Sequence, residues 1–224
     1  MLRDNTGKPC YITGFAKTKI NQGKGFLGGY WGRGKCTGIH DNLYCTATYI
    51  YETKVPGAVE KITKENLPPS YNDMPIILIS LDLIGTSAEF AKKCQKEIAI
   101  ALNWPSSFAY EDRIVVSCTH THTGPQTNQY FIGMGHATDK YMLELIETIV
   151  LTVNDAIKNR EYCRIYYVKT RDFEDIAINR RQRCNNDNNN NNINPNLKWF
   201  EISGKTILGQ RLEGPIIPYA EALV

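Results

Sequence analysis

The sequence has few of the residues and patterns that mark several common classes of protein. Its 224 residues include only four histidines, and its seven cysteines contain no Cys-x-x-Cys pair. This scattered spacing excludes zinc-finger modules, and an odd number of cysteines excludes a complete disulfide framework. We therefore expect mostly buried, reduced thiols, with one or two disulfides left open if the protein meets an oxidising compartment.

Charge and hydropathy exclude further classes. The net charge is only +3, and no run of Lys and Arg is interleaved with aromatic residues, so we expect no nucleic-acid partner. No apolar run approaches the length of a membrane span, so we expect no transmembrane segment. The start of the chain lacks the apolar core of a secretory signal peptide. If Met1 is the true start, this predicts a cytoplasmic protein, and the localisation is otherwise unknown.

The patterns that are present predict an α/β layered domain with a mostly parallel or mixed sheet and flanking helices. An apolar strand over 76–82, a helix over 88–102 capped by Ser87, and a strand over 113–118 form a βαβ unit, whose two strands should be parallel. The first of these strands is apolar throughout, so we expect it to be buried on both faces. The remaining predicted elements are strands at 10–20 (with a break at Gly14), 43–51 and 163–168, and a helix at 139–158.

The chain divides by composition into three parts. Residues 1–184 carry the predicted α/β domain. Residues 185–196 are rich in asparagine and predict a disordered loop. Residues 197–224 predict a hairpin and an incomplete tail. We therefore expect any chemistry to lie within the first part.

The most informative stretch lies at the end of the second βαβ strand and reads Cys118-Thr119-His120-Thr121-His122-Thr123-Gly124-Pro125. On an extended chain, residues two apart share a face, so His120 and His122 should project together. Two adjacent imidazoles can hold a divalent metal, or pair a metal ligand with a proton donor. A chance His-x-His pair is the alternative, but the carboxyl end of a strand is where open α/β sheets bind ligands.

Four other features are candidates for the same site. Six glycines crowd residues 23–34, and this segment is either a mobile surface loop or a pocket wall that carries Tyr30. His40 precedes the strand at 43–51 and is either a turn residue or a contact for substrate. Asp82 ends its strand, where a carboxylate is usually a helix cap or a hydrogen-bond partner for a neighbouring loop, and less often catalytic. Arg180 is either part of a solvated turn or a guanidinium that faces a substrate oxygen.

Taken in order, these motifs resemble the neutral/alkaline, non-lysosomal ceramidase family. The matching pieces run from about residue 10 to 184. They are Ile12-Thr13-Gly14, the glycine-rich stretch ending Gly29-Tyr30, Thr37-Gly38-Ile39-His40, Ser80-Leu81-Asp82, the block Val116 to Pro125, and Ile178-Asn179-Arg180. The most specific of them is the Thr-His-Thr-His-x-Gly-Pro block followed by Ile-Asn-Arg about sixty residues later.

The resemblance implies a zinc-dependent amidase that cleaves N-acylsphingosine into a fatty acid and a sphingoid base. It implies that His120 is a zinc ligand, that His122 assists the substrate oxygen, and that Arg180 helps to hold the reacting groups. With Tyr30 and His40 as predicted substrate contacts, the implied partner is a ceramide-like sphingolipid, and peripheral contact with a membrane surface is left open.

Two departures limit what the resemblance implies. The family's other zinc ligands lie downstream of Ile-Asn-Arg, and no histidine follows His136 here. Asn179-Arg180-Arg181 also stands where the family usually has Asn-Arg-Ser. The chain is therefore predicted to be the N-terminal part of such an enzyme or a shortened paralogue. The alternatives are a catalytically inactive lipid-binding or interaction module, and a metal hydrolase that acts on a non-lipid amide or ester.

Overall fold

The computed structural model describes residues 11–29, 32, 34–52, 74–106, 109–128, 134–170 and 220–223. The chain divides into two units, residues 1–164 and residues 165–224. The first unit contains β1 (Tyr11–Lys19), β2 (Tyr44–Glu52), β3 (Ile76–Leu81), α1 (Ala88–Ala101), β4 (Ile114–Cys118), α2 (Asp139–Lys158) and β5 (Glu161–Cys163). The second contains β6 (Tyr167–Thr170) and β7 (Ala220–Leu223), which pair antiparallel. The predicted domain boundary at 184 and the predicted hairpin at 197–208 lie outside the described residues.

The first unit is an α/β layered domain, which confirms the predicted fold class. Its five strands form a mixed sheet in the order β4-β3-β2-β1-β5. Only β3 and β4 are parallel; the other neighbours pair antiparallel. The prediction of a parallel β3-α1-β4 unit is therefore confirmed. Because these strands run parallel, their carboxyl ends meet at one edge of the sheet.

The helices begin and end close to where the sequence pattern places them. Ser87 caps α1, since its hydroxyl oxygen accepts a hydrogen bond of 3.2 Å from the backbone N–H of Phe90. Phe90, Cys94 and Ile98 lie along one stripe of α1 and are buried. The buried stripe of α2 includes Tyr141, whose hydroxyl donates a hydrogen bond of 2.8 Å to the carbonyl of Ile20. This bond ties the start of α2 to the end of β1.

The predicted break at Gly14 is wrong, because β1 runs continuously through this residue. A Cβ at this position would collide with the backbone carbonyl oxygen of Ala156 in α2. The glycine is therefore explained by close packing of helix on strand rather than by a turn. Burial of the apolar side chains in this layer contributes roughly 1.5–3 kcal/mol for each large residue.

The prediction that β3 is buried on both faces is wrong within the described residues. Ile77, Ile79 and Leu81 face the helices and are at most 1% exposed. On the opposite face Ile76 and Leu78 are 38% and 36% exposed. Successive strand residues point to opposite faces, so β3 has two apolar faces. The described helices cover only one of them.

The prediction of a single strand at 163–168 is also wrong. The structure has two short strands there, β5 at the edge of the first sheet and β6 in the second unit. Among the described cysteines, all five are free thiols, of which Cys45 and Cys94 are buried. Neither described helix is long and apolar enough to cross a membrane.

Candidate functional site

The imidazole rings of His120 and His122 lie side by side just beyond the end of β4. Their ring centroids are 4.9 Å apart and the rings are nearly perpendicular, at 79°. The predicted proximity is therefore present, but strand alternation is not its cause. β4 ends at Cys118, and His120 has a φ of 64°, in the left-handed region. The chain turns at His120 instead of continuing as an extended strand.

Two hydrogen bonds hold His120 in this conformation. Its backbone N–H donates to the carbonyl of Leu83 at 3.0 Å, and its ring Nδ1 lies 2.7 Å from the carbonyl oxygen of Ile84. The left-handed region costs a non-glycine residue roughly 1–2 kcal/mol. Each hydrogen bond returns about 0.5–1.5 kcal/mol. The two bonds to the β3–α1 connection are therefore enough to offset the backbone strain.

The bond to Ile84 also determines which ring nitrogen of His120 carries a proton. A carbonyl oxygen can only accept, so Nδ1 must donate, and in the neutral ring Nε2 then carries the lone pair. Metal-binding histidines usually donate their second ring N–H to a carbonyl or carboxylate in this way. The side chain of His120 is exposed. The donor arrangement therefore fits a metal ligand that acts through Nε2.

Two consecutive glycines bring the glycine-rich segment against the histidines. A Cβ on Gly29 would lie 2.7 Å from both Cα and Cβ of His122, and Gly29 has a φ of +117°. A Cβ on Gly28 would lie 2.9 Å from a side-chain carbon of Ile84. Residues with side chains cannot take these positions without moving their neighbours. Gly29 therefore sets how closely the main chain approaches His122.

Backbone hydrogen bonds connect the same segment to the residues after the histidines. Gly28 N–H donates to the carbonyl of Gly124 at 3.0 Å, and Gln126 N–H donates to the carbonyl of Phe26 at 2.8 Å. Leu27 and Pro125 form an isolated bridge between these two bonds. Of the two interpretations left open by the sequence, these contacts favour a wall of the site over a mobile loop.

A cleft of about 340 Å³ adjoins this wall. Its lining combines apolar side chains with polar ones and includes Thr123 and Pro125 of the histidine segment. His40 also lines this cleft, whereas His120 and His122 do not. The lining also includes Phe26, Leu27, Ile39, Asp41 and Leu43. The cleft and the histidine pair are thus two neighbouring features that share one loop.

His40 is highly exposed and pairs with its sequence neighbour. Its Nδ1 lies 2.8 Å from a carboxylate oxygen of Asp41, and the two side chains are 97% and 86% exposed. The hydrogen bond to Asp41, together with its negative charge, raises the pKa of His40 above its usual value. The pair therefore presents a charged edge to the cleft over a wider pH range than an isolated histidine would.

Asp82 has the role that a carboxylate at a strand end most often has. Its Oδ2 accepts the backbone N–H of Tyr44 at 3.0 Å, while its own N–H donates to the carbonyl of Tyr44 at 2.9 Å. These bonds extend the pairing of β2 and β3 by one residue. Asp82 therefore stabilises the edge of the sheet beside the histidine segment.

The structure brings some predicted site residues together and does not describe others. His120 and His122 are adjacent, and His40 lies in the neighbouring cleft. Tyr30 and Arg180 lie outside the described residues, so their predicted roles stay predictions. Within the ranges that are described, no group of three or more His, Cys, Asp or Glu residues could hold a metal ion. A metal ion bound at His120 would thus need further ligands from outside the described ranges.

Sequence reasoning missed the groups that hold the histidines. Ile84 acts through its backbone carbonyl, which leaves no signal in the residue type. Thr127 donates its hydroxyl to the carbonyl of Gly85 at 2.5 Å, and the Gln126 side chain accepts the backbone N–H of Thr127 at 3.0 Å. Both are polar and at most 3% exposed. Their position just after the His-Thr-Gly-Pro turn was the one available hint.

The layered α/β architecture described above is similar to that of solved ceramidase structures. The chain is similar to neutral ceramidase from Pseudomonas aeruginosa, with a TM-score of 0.54 and 18% sequence identity over 73% of this chain and 24% of that one. It is equally similar to a ceramidase complexed with C2, with a TM-score of 0.55 and the same identity and coverage. The resemblance seen in the motifs is therefore confirmed in the fold.

These comparisons also show how much of the matched structures the chain covers. It spans about a quarter, 24%, of the length of the ceramidase structures that it matches. No family model matches the chain, and no curated protein sequence matches it. At 18% identity the likeness shows the fold, and the activity has to be argued from the site.

Replacing Gly29 by alanine should displace His122. The new methyl group would meet the backbone and Cβ of His122, and the positive φ adds strain, so we expect a loss of stability of about 1–3 kcal/mol. The imidazole resonances of His122 in NMR spectra should shift. Gly23→Ala is the matched control, because a Cβ there would have no atom of the described residues within 4 Å, its chain neighbours aside. Equal behaviour of the two variants would contradict the contact.

Replacing Asp41 by asparagine should lower the pKa of His40, because the hydrogen bond to a carboxylate and its charge both disappear. A raised pKa in the folded state contributes stability below the ordinary histidine pKa, and this contribution is lost as the pH rises through the raised value. The Asp41→Asn variant should lose that dependence. An NMR titration of the His40 ring measures the change, and an unaltered pKa would refute the pairing.

Proposed function

We propose that this chain is part of a ceramidase-type hydrolase, a zinc-dependent amidohydrolase that cleaves the amide of N-acylsphingosine to a fatty acid and a sphingoid base. The fold likeness to two ceramidases supports this proposal. So do the motifs around His120 and Arg180. Because the chain spans a quarter of those structures, the proposal concerns the part of the reaction that its own residues serve.

One observation carries the proposal. The ring of His120 is fastened through Nδ1 to the carbonyl of Ile84 and stands beside the ring of His122. This arrangement directs the basic nitrogen, Nε2, away from the bond to the protein, as a metal ligand requires. A histidine that served only to fill a turn would not need a fixed tautomer next to a second imidazole.

The proposed roles divide between the two histidines and Arg180. His120 is a ligand for zinc through Nε2, and two or three further ligands are required, since such sites use three or four protein ligands. The chemistry that zinc supplies there is polarisation of the amide carbonyl and a lowered pKa for water. His122 holds the amide oxygen, and Arg180 stabilises the negative charge that develops on it.

The cleft beside the histidine segment is proposed to bind the substrate. Phe26, Leu27 and Ile39 offer apolar surface for part of a lipid, and His40 supplies a polar edge. Tyr30 follows Gly29, which contacts His122, so it is proposed to bind substrate near the catalytic histidines. A ceramide-like substrate resides in a membrane, so peripheral contact with a membrane surface belongs to the same proposal.

The proposal predicts that zinc binding and amide hydrolysis depend on His120. In the full 224-residue chain, we expect His120→Ala to lose bound zinc, measured by elemental analysis after dialysis, and to lose turnover of a fluorogenic long-chain N-acyl amide by at least about 100-fold. His122→Ala should keep zinc and lose roughly 100- to 1,000-fold in turnover. His136→Ala, at an exposed histidine, is the matched control.

Other outcomes separate the alternative functions. Zinc and turnover that survive in His120→Ala would sink the proposed ligand role. Equal rates on short and long acyl chains would indicate a hydrolase of soluble amides or esters. Sphingolipid binding by protein that neither takes up zinc nor turns over substrate would indicate an inactive lipid-binding module.

A further inference from the structure

The connection between β3 and α1 presents three successive backbone carbonyls to the histidine segment. The carbonyl of Leu83 accepts the backbone N–H of His120 at 3.0 Å, and that of Ile84 accepts its ring Nδ1–H at 2.7 Å. The carbonyl of Gly85 accepts the hydroxyl of Thr127 at 2.5 Å. The first two bonds hold His120 itself. The third comes from a residue seven positions further along the chain.

We propose that Thr127 is a positioning residue for His120, acting through Gly85, the residue that follows the Ile84 carbonyl. Its hydroxyl holds the Gly85 carbonyl, which restrains the backbone torsions of Gly85 and thereby the orientation of the preceding peptide, whose Ile84 carbonyl accepts from Nδ1 of His120. Thr127 therefore selects the ring tautomer that leaves Nε2 free of a proton. The geometric part stands on these bonds alone, while its consequence for catalysis rests on the proposed function.

Packing does not restrain Gly85, so the hydrogen bond has to. Gly85 has no side chain, and, its two chain neighbours aside, no atom of the described residues lies within 4 Å of the position that a Cβ would take. By contrast, Ile84 is buried, with 7% of its surface exposed. The Ile84–Gly85 peptide thus lies between the buried Ile84 side chain and the next peptide, whose Gly85 carbonyl is held by Thr127. Without that bond Gly85 keeps the wide choice of backbone torsions that glycine allows.

Thr127 is well placed to act as a fixed anchor. It is 3% exposed, so water does not compete for its hydroxyl. The side-chain oxygen of Gln126 accepts the backbone N–H groups of Thr127 and Asn128, at 3.0 and 3.3 Å. Gln126 is 1% exposed, and its own backbone N–H donates to Phe26 in the glycine-rich segment. The anchor is thus tied to the same wall that contacts His122.

The test compares two substitutions at one position in the full chain. Thr127→Val keeps the shape and removes the donor, whereas Thr127→Ser keeps the donor and removes a methyl group. In ¹⁵N NMR spectra of the imidazoles, we expect wild type and Thr127→Ser to show His120 protonated at Nδ1. Thr127→Val should show a mixture with the Nε2-protonated form and about a tenfold lower turnover.

The readouts distinguish this inference from its rivals. A wild-type tautomer in Thr127→Val, or an equal change in Thr127→Ser, would overturn it. A tautomer change without any zinc binding or turnover in the wild type would uphold the positioning role and reject the proposed function. If Thr127→Val does not fold, the wild type still decides, because a bonded hydroxyl proton of Thr127 should exchange slowly and show a nuclear Overhauser contact to Gly85. Rapid exchange of that proton would overturn the inference.

Discussion

The hydrogen bond from Nδ1 of His120 to the backbone carbonyl of Ile84 is the interaction on which the site depends. It joins the end of β4 to the connection that leaves β3, and it fixes both the orientation and the tautomer of one imidazole. It forms because β3 and β4 are parallel neighbours, so their carboxyl ends meet. The backbone bond from Thr119 to Leu81, at 2.9 Å, continues that pairing up to the histidine. The fold thus delivers the acceptor and the donor to the same place.

Glycine allows segments of the chain to pack closely at two separate places in the structure. Gly14 lets α2 pack closely against β1, and this contact joins the helix layer to the sheet. Gly28 and Gly29 let the glycine-rich segment lie against Ile84 and His122. In each case a side chain would collide with backbone or with a buried group. The glycine content of the chain is therefore explained in part by contact between elements rather than by flexibility.

The predictable part of the fold was the part that local pattern controls. The apolar period of α1 and α2, the cap at Ser87 and the run of β3 each arise within a few neighbouring residues, so the sequence predicted the βαβ unit and its parallel pair. The burial of both faces of β3 was wrongly predicted, because apolar composition alone does not say which layers are present. The break at Gly14 was also wrong, since the contact to Ala156 is distant in sequence.

The same distinction applies to the site. The histidine pair was visible as a motif, but the left-handed turn at His120 and the carbonyls that hold it were not. Those contacts join residues 36 to 42 positions apart, and they use backbone atoms or a buried threonine hydroxyl. No residue type marks a backbone acceptor. The motif therefore predicted that the two imidazole rings lie close together, whereas only the folded chain shows which hydrogen bonds hold the ring of His120.

Anomalous X-ray scattering at the zinc edge, from crystals of the chain grown with zinc, tests most directly whether His120, held by its hydrogen bond to Ile84, is a zinc ligand. We expect a peak about 2.0–2.1 Å from Nε2 of His120, with Nδ1 still bonded to Ile84. Zinc bound at His40 or His136 with none at His120, or a His120 ring turned so that Nδ1 meets the metal, would contradict it.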